Sequence, residues 1–359
     1  MRASVVTKEV KKRELQAKSE LTKLITQEEI FWKQRSKDLW LKEGDRNTYF
    51  FHAKASHRYQ INSIRKLQHR DGMWAESGEE VRQCILDYFG RVFTSTRPLL
   101  DDIKRGTEHL PNVVDTAMAE DLQRPFMEIE VTTTLFSMSP LKSPGPDGMP
   151  PHFFQKFWHI VKPDILACVL NFLNHHVLPI GFNDTNIVLI PKCKQPRSLS
   201  QYTPISLCNV VYKIASKSIA NRLKPWLDRI ISPAQSAFVP GRLITDNVLL
   251  AFETNHFLNV HSKGRKCFMN LKLDISKAYD RVEWPFLWRV LGKLGFPCEF
   301  IELIMLCVSS VPYSFVLSGS QFGSLTPQRG LRQGDPYPFT CFFVVQNPLA
   351  PCFGGGREG

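Results

Sequence analysis

Residues 270–284, NLKLDISKAYDRVEW, decide the fold class of this chain. An extended pattern over 267–276 predicts a strand, and successive side chains of a strand point to opposite faces. Leu271 and Leu273 therefore share one apolar face, while Asp274 lies on the polar face where the strand ends. A carboxylate in this place can hold Mg²⁺, which takes one or two carboxylates together with substrate phosphates. An aspartate at a strand end is more often a turn residue or a helix cap, so the strand alone leaves both interpretations open.

The segments around this strand show both helical and extended patterns. Apolar residues three and four apart indicate helices, alternation indicates strands, and proline and glycine mark boundaries. Together these elements predict an α+β fold. The pattern predicts helices over 8–43 with a break near Thr26, 78–94, 154–176, 210–231, 285–294 and 299–310, a hairpin over 61–75 that turns at Asp71-Gly72, strands over 187–192 and 313–319, a connecting stretch with one short helix over 95–125, and a turn-rich loop over 141–154.

The composition is that of a globular, basic protein. Of 359 residues, 43% are hydrophobic and 22% charged, which excludes a disordered chain. The formal net charge is +12, and residues 1–60 alone hold 14 Lys and Arg against 8 Asp and Glu. A basic excess of this kind favours a polyanionic partner such as nucleic acid. A solvated surface face is the alternative interpretation.

The cysteines and the apolar runs indicate the cellular compartment. Nine cysteines are scattered without the spacing of zinc ligands, which is typical of reduced thiols in a nuclear or cytoplasmic protein. The N-terminal residues lack the apolar core of a secretion signal. Because no apolar run approaches the ~18 residues of a membrane span, we expect neither a secreted nor a membrane protein.

Six strings follow one another along the sequence: FWKQRSKDLWLKEGDRNTYFFHAKA (31–55), SPGPDGMP (143–150), IVLIPKCKQPRSLSQYTPISLCNVVYKIASKSIANRLK (187–224), QSAFVPGRLITDN (235–247), LKLDISKAYDRVEW (271–284) and RGLRQGDP (329–336). In family order and with family-like gaps, they resemble the reverse transcriptase of plant LINE-type (non-LTR) retrotransposons. The resemblance covers residues 28–336. It implies a right-hand polymerase with fingers over 126–266 and a partial palm over 267–336, preceded by a basic helical linker over 1–125. It also implies that the palm is incomplete and that the thumb and the endonuclease of the family are absent.

The resemblance implies an RNA-directed DNA polymerase, with an RNA template, a DNA primer and a deoxynucleoside triphosphate as partners. In the family pattern Asp274 is the catalytic carboxylate and a ligand of a two-ion Mg²⁺ site, assisted by the carbonyl of Ile275. Two such ions stabilise the attacking and leaving oxygens. Tyr279 matches the bulky residue that collides with a ribose 2′-hydroxyl, and ordinary core packing is the alternative for it.

The resemblance also implies contacts to the nucleotide outside the palm strand. Gln333 and Gly334 match residues that lie under the incoming nucleotide, where only glycine lets the backbone come close. Lys192 matches a lysine of the fingers that faces the triphosphate, with an ordinary solvated lysine as the alternative. Gly241 and Arg242 belong to a motif expected to contact the backbone or the template.

The sequence departs from the family pattern at two places that bear on activity. Thr203 replaces an arginine that binds the triphosphate in the family, and threonine cannot make a bidentate, charge-assisted contact. RGLRQGDP resembles the second palm motif of the family. The third palm motif, which contains two adjacent aspartates and lies downstream of the second, is not found after it. The one Asp-Asp pair in the sequence is Asp101-Asp102, far upstream and without a hairpin pattern.

A third departure concerns residues 337–359. The codons TAC CTG TTT CTT TGT TGT GCA GAA CCC would encode a family-like continuation. Read one base later, they give Thr-Cys-Phe-Phe-Val-Val-Gln-Asn, which is the run 340–347. We therefore expect 337–359 to be a frameshifted tail, which the genomic DNA can test.

Three functional hypotheses follow from the sequence. The first is a fragment of an RNA-directed DNA polymerase that is inactive, since Asp274 alone would have to hold two metal ions. The second is a non-catalytic remnant that binds nucleic acid through its basic residues, with an affinity that falls steeply with salt. The third is a product that does not fold stably, because the strand of Asp274 lacks its partner.

Overall fold

The structure is a computed structural model that describes residues 8–36, 48–69, 71–232, 235, 241–260, 269–270 and 276–334. It contains helices and short strands, as the α+β prediction requires. The chain divides into two compact units, residues 1–65 with 191–196 and residues 66–190 with 197–359. The helices are α1 Lys8–Ser36, α2 Thr48–Asn62, α3 Gly78–Phe93, α4 Leu100–Thr107, α5 Thr116–Gln123, α6 Glu128–Phe136, α7 Pro151–Lys156, α8 Trp158–His175, α9 Val210–Leu223, α10 Leu227–Ile230, α11 Ile244–Val260, α12 Trp284–Leu294 and α13 Cys298–Ser309. The strands are β1 Leu67–Gln68, β2 Trp74–Ala75, β3 Thr185–Pro191, β4 Tyr202–Cys208, β5 Tyr313–Leu317 and β6 Ser320–Leu325.

The first unit contains the helices α1 and α2. The break expected near Thr26 is wrong, because α1 runs unbroken to Ser36. The Thr26 hydroxyl donates to the carbonyl of Thr22 at 2.8 Å, so this residue is accommodated within the helix. The two helices meet near the end of α1, where the rings of Trp32 and His52 lie 4.2 Å apart.

The second unit contains a four-stranded sheet in the order β4-β3-β5-β6. Strands β3 and β5 are parallel, and β5 and β6 form an antiparallel hairpin. The predictions of β3 and of the hairpin entered at 313–319 are confirmed. Strand β4, at one edge of the sheet, was not predicted, because Pro204 disfavours a strand except at an edge.

The hydrophobic core of this unit lies among its helices. Helices α3, α12 and α13 were predicted within one residue of their bounds, since each has a clear apolar face. The connecting stretch over 95–125 contains two helices, α4 and α5, where one was expected. No described helix is long and apolar enough to cross a membrane. Core side chains with 0% exposure include Met118, Leu135, Phe172, Ile214, Leu287 and Ile304.

The strand predicted over 267–276 falls mostly outside the described residues. Met269 and Asn270 are described and belong to no strand, and Ser276 lies in a turn. Asp274 and Ile275 are not among the described residues. The strand itself therefore stays a prediction.

Candidate functional site

The backbone of strand β4 is hydrogen-bonded to the string RGLRQGDP (329–336). The N–H of Ser206 donates to the carbonyl of Gln333 at 2.8 Å. Gly334 follows with φ +113°, and a Cβ there would lie 3.1 Å from the carbonyl oxygen of Ser206. The positive φ favours glycine here, and the tight contact that a Cβ would make adds to that preference. The predicted pair Gln333 and Gly334 thus lies directly beside the strand that contains Thr203.

The turn that follows Asp274 in the sequence meets the same motif from another side. The N–H of Leu331 donates to the carbonyl of Tyr279 and the N–H of Gly330 to that of Val282, both at 2.8 Å. Gly330 has φ +97°, and a Cβ there would lie 2.9 Å from the carbonyl oxygen of Asp280. Residues 330–334, the GLRQG segment, are therefore joined by backbone hydrogen bonds to the Tyr279 turn and to β4.

Tyr279 has a half-buried side chain that packs against the hydrophobic core. Burial raises the pKa of its phenol to about 12, so the hydroxyl is neutral at physiological pH. The neighbouring Asp280 is 4% exposed, and its carboxylate lies 3.9 Å from the Lys277 ammonium. Core packing, the alternative interpretation, is thus observed for part of the Tyr279 ring. The steric exclusion of a ribose 2′-hydroxyl by Tyr279 stays a prediction.

Arg332 anchors the GLRQG segment in the core, which sequence reasoning missed. Its side chain donates to the side-chain oxygen of Asn183, and to the carbonyl of Cys307 at 2.8 Å. Its guanidinium lies 3.9 Å from the centre of the Tyr212 ring, and the residue is 3% exposed. Its partners lie far away in the sequence, so no local pattern signals the role.

The half-buried carboxylate of Glu283 connects the same region to the end of α3. Glu283 accepts from the Ser95 hydroxyl at 2.6 Å and from the backbone N–H of Thr96 at 3.0 Å. The Arg329 side chain donates to Glu283 at 3.1 Å and to the carbonyl of Val92 at 2.8 Å. These hydrogen bonds outweigh the cost of desolvation and lower the pKa of Glu283. The segment after α3 therefore supports the site, although its sequence shows no motif.

The SPGPDG loop lies at the end of β4. Gly145 packs so closely against the backbone of Asn209 that a Cβ would overlap it. The Asn209 side-chain oxygen accepts from the N–H of Asp147 at 3.2 Å, and the Lys213 ammonium donates to the carbonyl of Ser143 at 2.8 Å. Burial raises the pKa of Asp147. Four of the strings noted in the sequence, those around Ser143, Ser206, Tyr279 and Gln333, thus lie in one connected region.

Four residues that the sequence analysis singled out are not among those joined in this region. Lys192 directly follows β3, is exposed, and belongs to the first unit. Asp274 and Ile275 lie outside the described residues. Arg242, expected to contact the backbone or the template, uses its guanidinium within the protein, with bonds to the Asp228 carboxylate at 2.8 and 3.0 Å and to the carbonyl of Ser232 at 2.6 Å.

The described part of the chain offers no group of three His, Cys, Asp or Glu side chains that could hold a metal ion. Asp101 and Asp102 lie in the first turn of α4, exposed, and pair with Lys104 and Arg105 of the same helix. That surface arrangement is not a paired-carboxylate metal site. The predicted Mg²⁺ site therefore depends on Asp274.

The chain is similar to known proteins of mobile elements. Residues 190–352 match the family model described as reverse transcriptase (RNA-dependent DNA polymerase). The chain is 31% identical, over 88% of its length, to the transposon TX1 uncharacterized 149 kDa protein of Xenopus laevis. It is 26% identical, over 58% of its length, to a retrovirus-related Pol polyprotein from the type-2 retrotransposable element R2DM of Drosophila melanogaster. A Pol polyprotein from a type-1 element R2 of Popillia japonica is 25% identical over 63% of this chain.

These matches cover 24%, 19% and 30% of the respective relatives, so the chain spans less than a third of each. The relatives come from animals, and the plant origin expected from the sequence stays a prediction. The matched residues include β4, the Tyr279 turn and the GLRQG segment, which the structure joins in one region. Residues 190–352 are therefore a reverse transcriptase domain, of the kind found in non-LTR retrotransposons.

Proposed function

We propose that the chain is the nucleotide- and template-binding part of an RNA-directed DNA polymerase. In this proposal 126–266 are the fingers and 267–336 a partial palm, preceded by the linker 1–125. The observation that supports it best is the pair of backbone contacts of the GLRQG segment, to Ser206 on one side and to Tyr279 on the other. This arrangement holds a glycine-containing backbone fixed and partly exposed, as the floor beneath a base pair requires.

Each site residue has a role in the proposal. Gln333 and Gly334 form the floor beneath the incoming nucleotide, and Tyr279 excludes a ribose 2′-hydroxyl by its bulk. Lys192 contacts the triphosphate as a point charge. Asp274 and the carbonyl of Ile275 hold Mg²⁺. Reverse transcriptases generally use divalent metal ions, and such an ion, when bound, stabilises charge on the reacting phosphate.

We further propose that these 359 residues alone do not extend a primer. The one Asp-Asp pair of the sequence lies on the surface of α4, and the described residues contain no group of three His, Cys, Asp or Glu side chains that could hold a metal ion. A single aspartate is a poor scaffold for two metal ions. Thr203 in place of the family arginine weakens the hold on the triphosphate in addition.

Binding of a labelled RNA template–DNA primer duplex with a complementary nucleotide tests the proposed floor. We expect Gly334→Ala to weaken the nucleotide-dependent gain in duplex affinity. Gly319→Ala is the matched control, because Gly319 also has a positive φ but a Cβ added there would meet no heavy atom within 4 Å. Equal affinities for the two variants and the unchanged chain would contradict the proposed floor.

Primer extension with Mg²⁺ or Mn²⁺ tests the proposed inactivity. We expect no extended product from the chain. An extended product that disappears in Asp274→Ala would show that the chain is an active polymerase, and it would confirm the role of Asp274.

The second candidate function is a non-catalytic nucleic-acid-binding remnant. It is favoured by the basic excess of residues 1–60 and by the exposure of nearly all of α1. In that case the duplex binds with a steep salt dependence and a complementary nucleotide adds no affinity. The nucleotide effect in the binding experiment therefore separates the two functions.

A further inference from the structure

We propose that α1 is a self-association surface on which α1 of a second copy of this chain docks in the antiparallel direction. Helix α1 is 29 residues long. Val10, Ala17, Leu24 and Phe31 recur on it every seven residues, and Leu21 lies between them on the same face, where Glu14 and Glu28 occupy the equivalent places one heptad before and after it. A seven-residue repeat drifts by about 20° per heptad on a straight helix, which favours a left-handed supercoil with a partner helix.

This apolar stripe is exposed, although the helix has a neighbour. Val10 is 53% exposed, Leu21 58%, Leu24 57% and Phe31 43%. Helix α2 contacts α1 near Trp32 and Ser36, where the Arg58 side chain donates to the carbonyl of Ser36 at 3.2 Å. Long helices in water gain most of their stability from packing an apolar face. A partner along the stripe would supply that packing to α1 from Val10 to Phe31.

The charges of α1 select the direction of the partner. Residues 8–18 hold five basic and two acidic side chains, a net charge of +3. A parallel partner in register would bring this segment against its own copy, which is repulsive. An antiparallel partner brings it against 23–33, where two lysines and two glutamates cancel.

An antiparallel pair centred between Glu20 and Leu21 also matches the side chains of the stripe. Val10 then faces Phe31 of the second copy, and Ala17 faces Leu24, so a small residue meets a larger one at each apolar contact. Arg13 faces Glu28. Because a two-fold interface is self-complementary, each of these contacts occurs twice.

Sedimentation velocity of the full chain at micromolar concentration tests the proposal. We expect a dimer that persists after nuclease treatment. The double variant Leu21→Glu/Leu24→Glu places charges in the interface and should raise the dimer dissociation constant at least about tenfold. Leu15→Glu is the matched control, because Leu15 is 68% exposed on the opposite side of the same helix and should leave the dimer intact.

Charge reversal tests the antiparallel direction of the second helix, because it changes only charged residues and keeps every apolar side chain of the stripe. Arg13→Glu and Glu28→Arg should each weaken the dimer, and the combined variant should restore it. A monomeric chain, a dimer that nuclease abolishes, an equal effect of Leu15→Glu, or a combined variant as weak as the single ones would each overturn the proposal. Circular dichroism of every variant shows whether the helix is retained, and the charge-reversal set keeps the test valid if the glutamate pair unfolds.

Discussion

Ser206 of an edge strand donates its backbone N–H to the carbonyl of Gln333, 2.8 Å away. Edge strands have unpaired backbone groups that must find partners. Here one partner is the GLRQG segment, which on its other side is held by the Tyr279 turn. The site is thus built by backbone contacts between segments that the sequence separates widely, and substitutions that disturb the backbone should disturb it most.

The clearest backbone constraint is at Gly330. We expect Gly330→Ala to lower the free energy of unfolding by about 1–3 kcal/mol, because a side chain at φ +97° is strained and its Cβ would meet the carbonyl of Asp280 at 2.9 Å. Urea denaturation followed by circular dichroism measures the change. Gly319→Ala, at φ +85° in open space, should cost less. Equal losses in the two variants would show that the contact with Asp280 has no energetic weight.

Arg332 gives a second prediction about stability. Arg332→Met should lower the free energy of unfolding by about 1–3 kcal/mol, because it leaves the buried Asn183 oxygen and the Cys307 carbonyl without this donor. Arg91→Met is the control, since Arg91 is exposed on α3 and such a surface change usually costs less than about 0.5 kcal/mol. If both variants unfold at the same urea concentration as the unchanged chain, Arg332 does not anchor the segment.

Tyr279 gives a prediction about pH. Burial raises its folded pKa to about 12, from an ordinary value of 10.0. The folded state therefore holds its phenolic proton more tightly than the unfolded state does. The resulting stabilisation is complete below pH 10 and is lost as the pH rises toward 12. Ultraviolet difference titration of the chain and of Tyr279→Phe isolates this phenol, and a group that titrates near pH 10 would contradict the burial.

The sequence predicts local elements well where one signal dominates. Helix α12 has a clear apolar face, with Pro285 near its start and Gly295 with φ +91° after its end. Strand β4 was missed because Pro204 argues against a strand. In the structure its side chains nevertheless alternate between buried and half-buried along the strand. Helix α11 was missed because apolar residues lie all around it, so no face stands out.

The candidate site was predictable only in part. Gln333, Gly334 and Tyr279 were singled out through the family resemblance, and the structure brings their segments together. The support by Arg332 and Glu283 could not be predicted, since it depends on partners such as Asn183 and Ser95 that no local pattern connects to them. Tertiary contacts of this kind are decided by packing rather than by spacing along the chain.

Thr203 provides the most direct test of the proposed nucleotide site. It lies half-buried on β4, three residues before Ser206, at the position where the family has a triphosphate-binding arginine. If the triphosphate binds beside this strand, Thr203→Arg should tighten nucleotide binding to the chain–duplex complex by at least about tenfold, because a charge-assisted hydrogen bond contributes about 1.5–3 kcal/mol. Thr203→Lys, a point charge without the planar fork, should gain less. Competition by a nucleoside monophosphate distinguishes the triphosphate contact from general attraction. A gain that is equal for mono- and triphosphate, or equal for lysine and arginine, would mean that the added charge acts at a distance and that Thr203 does not face the triphosphate.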